Sequence, residues 1–140
     1  MQVVCPSCQA INRLPSSREP KMAQCGKCKQ KIFQSVALEV SAAVFARHLQ
    51  KSEIPVVVDF WAPWCGPCKV MGPNFTAAAV ELEPDYRLLK LNTENAEQIS
   101  AQWSIRSIPT MIVFKNGKEL ARTSGAMDQS QIISWVRQFK

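Results

Sequence analysis

All six cysteines of the chain fall in Cys-x2-Cys pairs, Cys5/Cys8, Cys25/Cys28 and Cys65/Cys68, and the first two pairs constrain the fold most. They lie in a leader, residues 1–36, that is too short to bury enough apolar surface to fold unaided. Zn²⁺ takes four tetrahedral ligands, and each Cys-x2-Cys can form a tight turn that aims two sulfurs inward. With 16 residues between the pairs, Cys5, Cys8, Cys25 and Cys28 read as ligands of one structural zinc, and metal binding would supply most of the ordering free energy. Two disulfides are the other reading of the same spacing; the reducing state of cytosolic thiols stands against it.

Charge divides the chain at the same place. Residues 1–36 carry six Lys/Arg against Glu19 alone, a net +5, while residues 37–140 are close to neutral at +1. Four thiolates and one Zn²⁺ would bring the leader to +3, still basic. Lys27, Lys29 and Lys31 flank the second cysteine pair, but Phe33 is the leader's only aromatic residue, so there is no stacking platform for bases. A solvated basic face is the expectation, with no nucleic-acid partner. Turn signals such as Leu14-Pro15-Ser16-Ser17 and Cys25-Gly26-Lys27-Cys28 crowd this segment, and the boundary is placed near Phe33 to Val36. The sequence has no apolar run near the roughly 18 residues of a membrane span and opens without a basic and apolar leader, so a cytoplasmic location is expected.

Residues 37–140 read as alternating strands and helices. Ser41 caps a helix with Ala42, Phe45, Ala46 and Leu49 on its apolar side, ending before Pro55. Val56 to Trp61 is β-branched and almost wholly apolar, the pattern of a strand covered on both faces. A helix from Cys65 to Leu82 follows, with Pro73 set to kink it. Tyr86 to Asn92 is a strand and Glu97 to Trp103 a short helix. Met111–Lys115 and Glu119–Ser124 flank an Asn116-Gly117 hairpin turn, and Asp128 caps a last amphipathic helix. The order β-α-β-α-β-α-β-β-α describes an α/β fold, a mixed sheet with helices on both faces and an antiparallel hairpin at one edge. His48, beside Arg47 on the first helix, is expected in solvent; Trp61 is expected beneath the site that follows it, and Trp103 in the core.

Trp64-Cys65-Gly66-Pro67-Cys68 stands where the buried strand ends and a helix begins. Residues three apart on a helix are neighbours, so Cys65 and Cys68 can close a small disulfide ring. Unpaired N–H groups and the positive end of the helix dipole would stabilise an exposed Cys65 thiolate, making it the nucleophile. Cys68, one turn deeper, is placed to resolve a mixed disulfide. A further metal site is the alternative, weakened by the want of a matching fourth pair of ligands. Asp59 is the one acid in the apolar strand; desolvation should raise its pKa, for a proton-transfer role or as part of a structural hydrogen-bond network.

The stretch Val57-Val58-Asp59-Phe60-Trp61-Ala62-Pro63-Trp64-Cys65-Gly66-Pro67-Cys68-Lys69 resembles the active-site segment of thioredoxins. The resemblance continues through Lys90-Leu91-Asn92, Ile108-Pro109-Thr110, Val113-Phe114-Lys115-Asn116-Gly117 and Gly125-Ala126, over about residues 38–140. With its four-cysteine leader the chain is similar to the zinc-binding thioredoxins of bacteria. The resemblance implies a zinc-ribbon-like domain over 1–36 and a thioredoxin domain over 37–140. It further implies a protein-disulfide reductase recharged by an NADPH-dependent thioredoxin reductase. Asp59 would act as base for Cys68 with Lys90 as electrostatic partner, and Pro109 would match the family's cis-proline. Trp64, Gly66, Pro67, Ile108, Pro109 and Gly125 would form the substrate surface. Ser107 and Glu94 depart from the usual Gly and Asp, which bears on substrate preference more than on chemistry. A disulfide oxidase or isomerase, and a zinc-ribbon binding module on a thioredoxin scaffold, are the other readings. The zinc site itself is read as structural or as redox-sensitive.

Overall fold

The computed structural model describes residues 1–15 and 19–140; the turn read at Ser16 and Ser17 lies outside them. The leader begins with an antiparallel pair, β1 (Gln2–Val4) and β2 (Ile11–Arg13), followed by a bridge between Gln24 and Lys31. A five-stranded mixed sheet then builds from β3 (Leu38–Glu39), β4 (Val56–Trp61), β5 (Arg87–Asn92), β6 (Thr110–Lys115) and β7 (Lys118–Ser124). Its spatial order is β3-β5-β4-β6-β7, with β3 and β4 parallel to β5, and β6 antiparallel to both β4 and β7. The helices are α1 (Ala42–Lys51), α2 (Gly66–Leu82), α3 (Glu97–Gln102) and α4 (Gln129–Val136). No described helix is long and apolar enough to cross a membrane.

Local chemistry explains most boundaries. Ser41 accepts from the Val44 N–H to cap α1, and Asp128 and Gln131 form a capping box at α4. Asn116 and Gly117 both have positive φ, 53° and 77°, as a tight two-residue hairpin requires. The helix read from Cys65 starts one residue later, with Cys65 as its cap, and continues through Pro73 to Leu82. Side chains on β4 alternate between two cores: Val57 packs with Met71, Phe75 and Ile132 under α2 and α4, while Val56, Val58 and Phe60 pack with Phe45, Leu49 and Phe114 on the side of α1. Trp103 lies edge-on to Phe114, 4.8 Å between ring centroids, and packs half-buried against the core on the α1 side.

The sequence did not indicate where the leader packs. It sits at the N-terminal ends of β4 and β5, where Val3, Leu14, Ile32 and Phe33 close over Ile54. At the centre of this contact Arg87, fully buried, donates to Val4 O at 3.1 Å and Ile32 O at 2.9 Å, both in the leader. Its other terminal nitrogen pairs with Glu83 at 2.8 Å, and Glu83 in turn accepts from the Ser35 N–H. The guanidinium also lies over the Phe33 ring, 4.9 Å from its centroid. The N–H of Val4 donates to Ser52 Oγ, and that of Glu53 to Gln2 O, so the seam is sewn by backbone as well.

This docking overturns the expectation for His48. Its side chain is fully buried, because the face of α1 carrying Phe45, His48 and Leu49 turns inward and β1 covers its end. Burial, reinforced by the positive charges of Arg87 and Arg47, pushes its pKa from the ordinary 6.5 down to about 3, so the ring is neutral.

Two predictions follow from the seam. Removing one partner of a buried ion pair strands the other, so Arg87→Ala should cost about 3–5 kcal/mol in denaturant unfolding; replacing both partners with Arg87→Met and Glu83→Gln should cost less. For His48, the unfolded chain takes up a proton below about 6.5 while the folded chain does not until about 3, so stability falls as pH drops through that window. His48→Leu lacks this slope. The stability of the wild type relative to this variant should therefore drop by about 2 kcal/mol between pH 7 and pH 5, read from urea midpoints.

Candidate functional site

Two cysteine centres lie at opposite ends of the sheet. In the leader, the Sγ atoms of Cys5, Cys8, Cys25 and Cys28 all lie within 4.8 Å of one another, with Cys5–Cys28 and Cys8–Cys25 both at 3.6 Å. Tetrahedral Zn–S bonds of about 2.3 Å put sulfurs about 3.8 Å apart, so the donor set fits zinc and the disulfide reading is set aside. All four thiols are free. The two loops repeat one construction: Cys5 N bonds Ala10 O and Cys25 N bonds Gln30 O, while Gln9 and Lys29 follow with φ of 64° and 67°. Asn12, which carried no signal in the sequence, ties β2 to the second loop, accepting from Gly26 N and donating to Cys25 Sγ.

The thiols are electrostatically unequal. The Cys28 backbone N–H, with further donors at Asn12 and Lys27, pulls Cys25 down to about 6, whereas burial pushes Cys5 up to about 11. Four thiols this close cannot all ionise by themselves; a divalent cation is what lets all four become thiolates.

The second centre forms where β4 hands over to α2. Cys65 and Cys68 are joined as a disulfide, with Cα atoms 5.2 Å apart. Cys65 is the N-cap of α2, its sulfur accepting from the Cys68 N–H at 3.2 Å, and Pro67 occupies the first turn, where a missing N–H costs nothing. Contrary to the expected exposure, Cys65 is only 5% accessible in this disulfide form, because its sulfur turns in against the Ile108 carbonyl at 3.8 Å. The Ile108–Pro109 peptide is cis, and Pro109 O accepts from the N–H of Gly125, whose φ of 101° suits glycine. Trp64 stands out at 70% accessible, with Gly66 and Pro67 exposed beside it. Trp61 packs against the two cysteines from below.

Asp59 lies on β4 facing the α2 side, fully buried, and neither carboxylate oxygen meets a hydrogen-bonding group among the described residues. The carboxyl thus makes no direct hydrogen bond to the described residues. Burial pushes its pKa from 3.8 up to about 7, with Lys90 pulling down and Glu39 pushing up. Lys90 is its cross-strand partner on β5, but its ammonium lies over the Trp61 ring at 4.9 Å instead of forming an ion pair with Asp59. An open cleft of about 540 Å³ leads past Lys90, Trp61 and Lys69 to Cys68. The site residues read from the sequence thus converge here, apart from the four leader cysteines. Glu39 and Arg87 were not singled out, since nothing in a linear sequence marks a strand register or an inter-segment contact.

Residues 36–138 match the Thioredoxin family, and residues 4–30 match the family described as Thioredoxin 2, N-terminal. The chain belongs to the thioredoxin family. Thioredoxin C-3 of Corynebacterium nephridii is 36% identical over 138 residues, covering 99% of this chain and 94% of that one. The M-type chloroplastic thioredoxin of Chlamydomonas reinhardtii is 34% identical and covers 93% of each. Among solved structures, a thioredoxin of Malassezia sympodialis superposes with a TM-score of 0.66 at 32% identity, over 74% of this chain and 90% of its own. The family is one of thiol–disulfide oxidoreductases, and the dithiol of this member is Cys65/Cys68.

The raised pKa of Asp59 has a stability consequence. The folded chain holds the proton up to about 7 and the unfolded chain releases it near 3.8, so wild-type stability falls as pH rises between those values and is level above. Asp59→Asn removes that slope. Its thermal midpoint relative to wild type should rise between pH 4.5 and pH 8, at roughly 1.4 kcal/mol per pH unit inside the window.

Proposed function

We propose that this chain reduces protein disulfides, taking its electrons from an NADPH-dependent thioredoxin reductase. The observation that carries the reading is the Cys65 sulfur at the cap of α2, with the Cys68 N–H on it and the buried Asp59 carboxyl on the face of the sheet that α2 covers. The helix N-terminus stabilises the Cys65 thiolate once the pair is reduced.

In that reduced state Cys65 attacks one sulfur of a substrate disulfide, forming a mixed disulfide and releasing the other sulfur as a thiolate that takes a proton from water. The Cys68 thiol passes its proton to the Asp59 carboxylate and attacks Cys65 Sγ. The Cys65–Cys68 disulfide forms, and the second substrate sulfur leaves and is protonated from Asp59. Two electrons have moved from the dithiol to the substrate. A carboxyl that titrates at about 7 suits both halves of this transfer at neutral pH. Lys90 favours the ionised form and so keeps Asp59 ready to accept. An extended substrate segment lies against Trp64, Gly66, Pro67, Ile108, Pro109 and Gly125. These mostly apolar or backbone surfaces select little beyond an accessible disulfide.

Residues 1–36 form a zinc-binding domain and residues 37–140 the thioredoxin domain; the two family matches, ending at 30 and beginning at 36, support that division. One zinc held by Cys5, Cys8, Cys25 and Cys28 supplies the ribbon with its cross-link. Four adjacent thiolates persist only under reducing conditions, which supports a cytoplasmic location.

Insulin reduction with NADPH and thioredoxin reductase tests the reading, with zinc quantified in the same samples. Wild type should turn over, Cys65→Ser should not, and both should hold about one zinc per chain. A wild type that binds zinc but reduces nothing would overturn the reductase assignment.

A further inference from the structure

Strand register lines up three ionisable side chains across the sheet. Lys90 on β5 is the direct partner of Asp59 on β4 and of Glu39 on β3. All three occupy the face toward α2, since their neighbours Leu38, Leu89, Val58 and Phe60 all pack on the opposite side. One ammonium thus stands between two carboxyl groups, the inner one buried and the outer one at the sheet edge. Glu39 is further fixed by the indole of Trp61, whose Nε1–H donates to both carboxylate oxygens at 3.2 Å. That same indole carries the Lys90 ammonium on its face and packs against the cluster of Ala62, Cys65 and Cys68. The ammonium lies beside Gly72 of α2, where an added Cβ would stand 3.4 Å from Lys90 Nζ.

We propose that Glu39 is a positioning residue of the dithiol site: it anchors the Trp61 indole and shares the Lys90 ammonium with Asp59, so that the two carboxyl groups and one ammonium respond together when Cys68 loses its proton. The inference rests on the proton-accepting role read for Asp59 above. Its physical content is a competition. A negative charge on Glu39 repels charge on Asp59 and draws the ammonium outward, and both effects keep the Asp59 proton in place. Neutralising Glu39 leaves Lys90 to Asp59 alone, and Asp59 gives up its proton more readily. The other groups on this face are the Cys68 thiol and, at the mouth of the cleft, Lys69, both from α2; β6 contributes the uncharged Met111 beside Asp59.

The edge strand that carries Glu39 follows directly from the leader and is held to the sheet by Val40 N on Lys90 O at 3.0 Å. The segment that delivers the ribbon therefore also delivers this carboxylate to the redox site, although the two cysteine centres do not touch.

The experiment is a carboxyl NMR titration of Asp59 in the full-length, zinc-loaded, reduced chain, comparing wild type with Glu39→Gln and Glu39→Asp. Glu39→Gln keeps an oxygen for the indole and removes only the charge. Glu39 and Asp59 are two strand spacings apart, about 10 Å, so the Asp59 midpoint should fall on the order of half a pH unit in Glu39→Gln. It should stay near wild type in Glu39→Asp. The pH profile of mixed-disulfide resolution in a single-turnover reaction should move to lower pH by the same amount. An Asp59 midpoint unchanged in Glu39→Gln, or shifted equally in Glu39→Asp, overturns the proposal. The titration does not depend on turnover. A chain that shows the shift but fails to reduce insulin refutes the reductase reading alone, and an active chain without the shift refutes the role of Glu39 alone.

Discussion

A guanidinium withdrawn completely from water needs protein acceptors in place of its lost hydration, and Arg87 finds them for both terminal nitrogens, though not for Nε, by reaching from the thioredoxin sheet into the leader. Its acceptors Val4 O and Ile32 O belong to the ribbon, the Phe33 ring covers it, and Glu83 neutralises it from one helical turn away in sequence. Neither carbonyl is in place unless the ribbon is folded, and the ribbon's small core is incomplete without Ile54. The contact therefore binds two units that have different reasons to fold, one built around four clustered cysteines with the donor set of a metal site and the other around a large apolar core. It also explains why a histidine can lie buried and neutral in α1, with no hydrogen-bond partner found for either ring nitrogen: the leader roofs a face that would otherwise be wet.

The same arrangement keeps the two sulfur chemistries apart. The ribbon docks at the start of β4 and the dithiol forms beyond its end, a distance of at least about 17 Å along six residues of strand. Thiolates committed to a cation and a dithiol that must cycle are chemically incompatible as neighbours, because exchange between them would scramble both. The sheet separates them and leaves the accessible apolar surface around Trp64 free of the leader's positive charge.

Inside the site, burial decides the electrostatics. Asp59 stands in a strand whose other residues are apolar, so its charge has almost no solvation to draw on, and the Lys90 ammonium is spread between it, the Trp61 face and Glu39. Had Lys90 closed directly on Asp59, the carboxylate would be strongly favoured and could not hold a proton near neutrality. The indole holds the ammonium at a distance that moderates the pair without neutralising it.

Features that rest on short stretches of chain were legible in the sequence. Cysteine spacing announced a four-sulfur site because tetrahedral coordination needs nothing beyond two tight turns. The apolar run from Val56, the Asn116-Gly117 turn, and the caps at Ser41 and Asp128 announced their elements because each depends on local backbone hydrogen bonding or on side-chain periodicity. Cys65 and Cys68 were readable as a pair, and Asp59 as a desolvated acid, for the same reason. Only the tertiary structure decided the seat of the ribbon, the burial of His48, the Arg87–Glu83 pair, the near-covering of Cys65 and the row from Glu39 to Asp59. Each of these joins residues far apart in the chain through register or docking, and such contacts form wherever desolvated groups find partners in three dimensions, which no spacing along one dimension encodes.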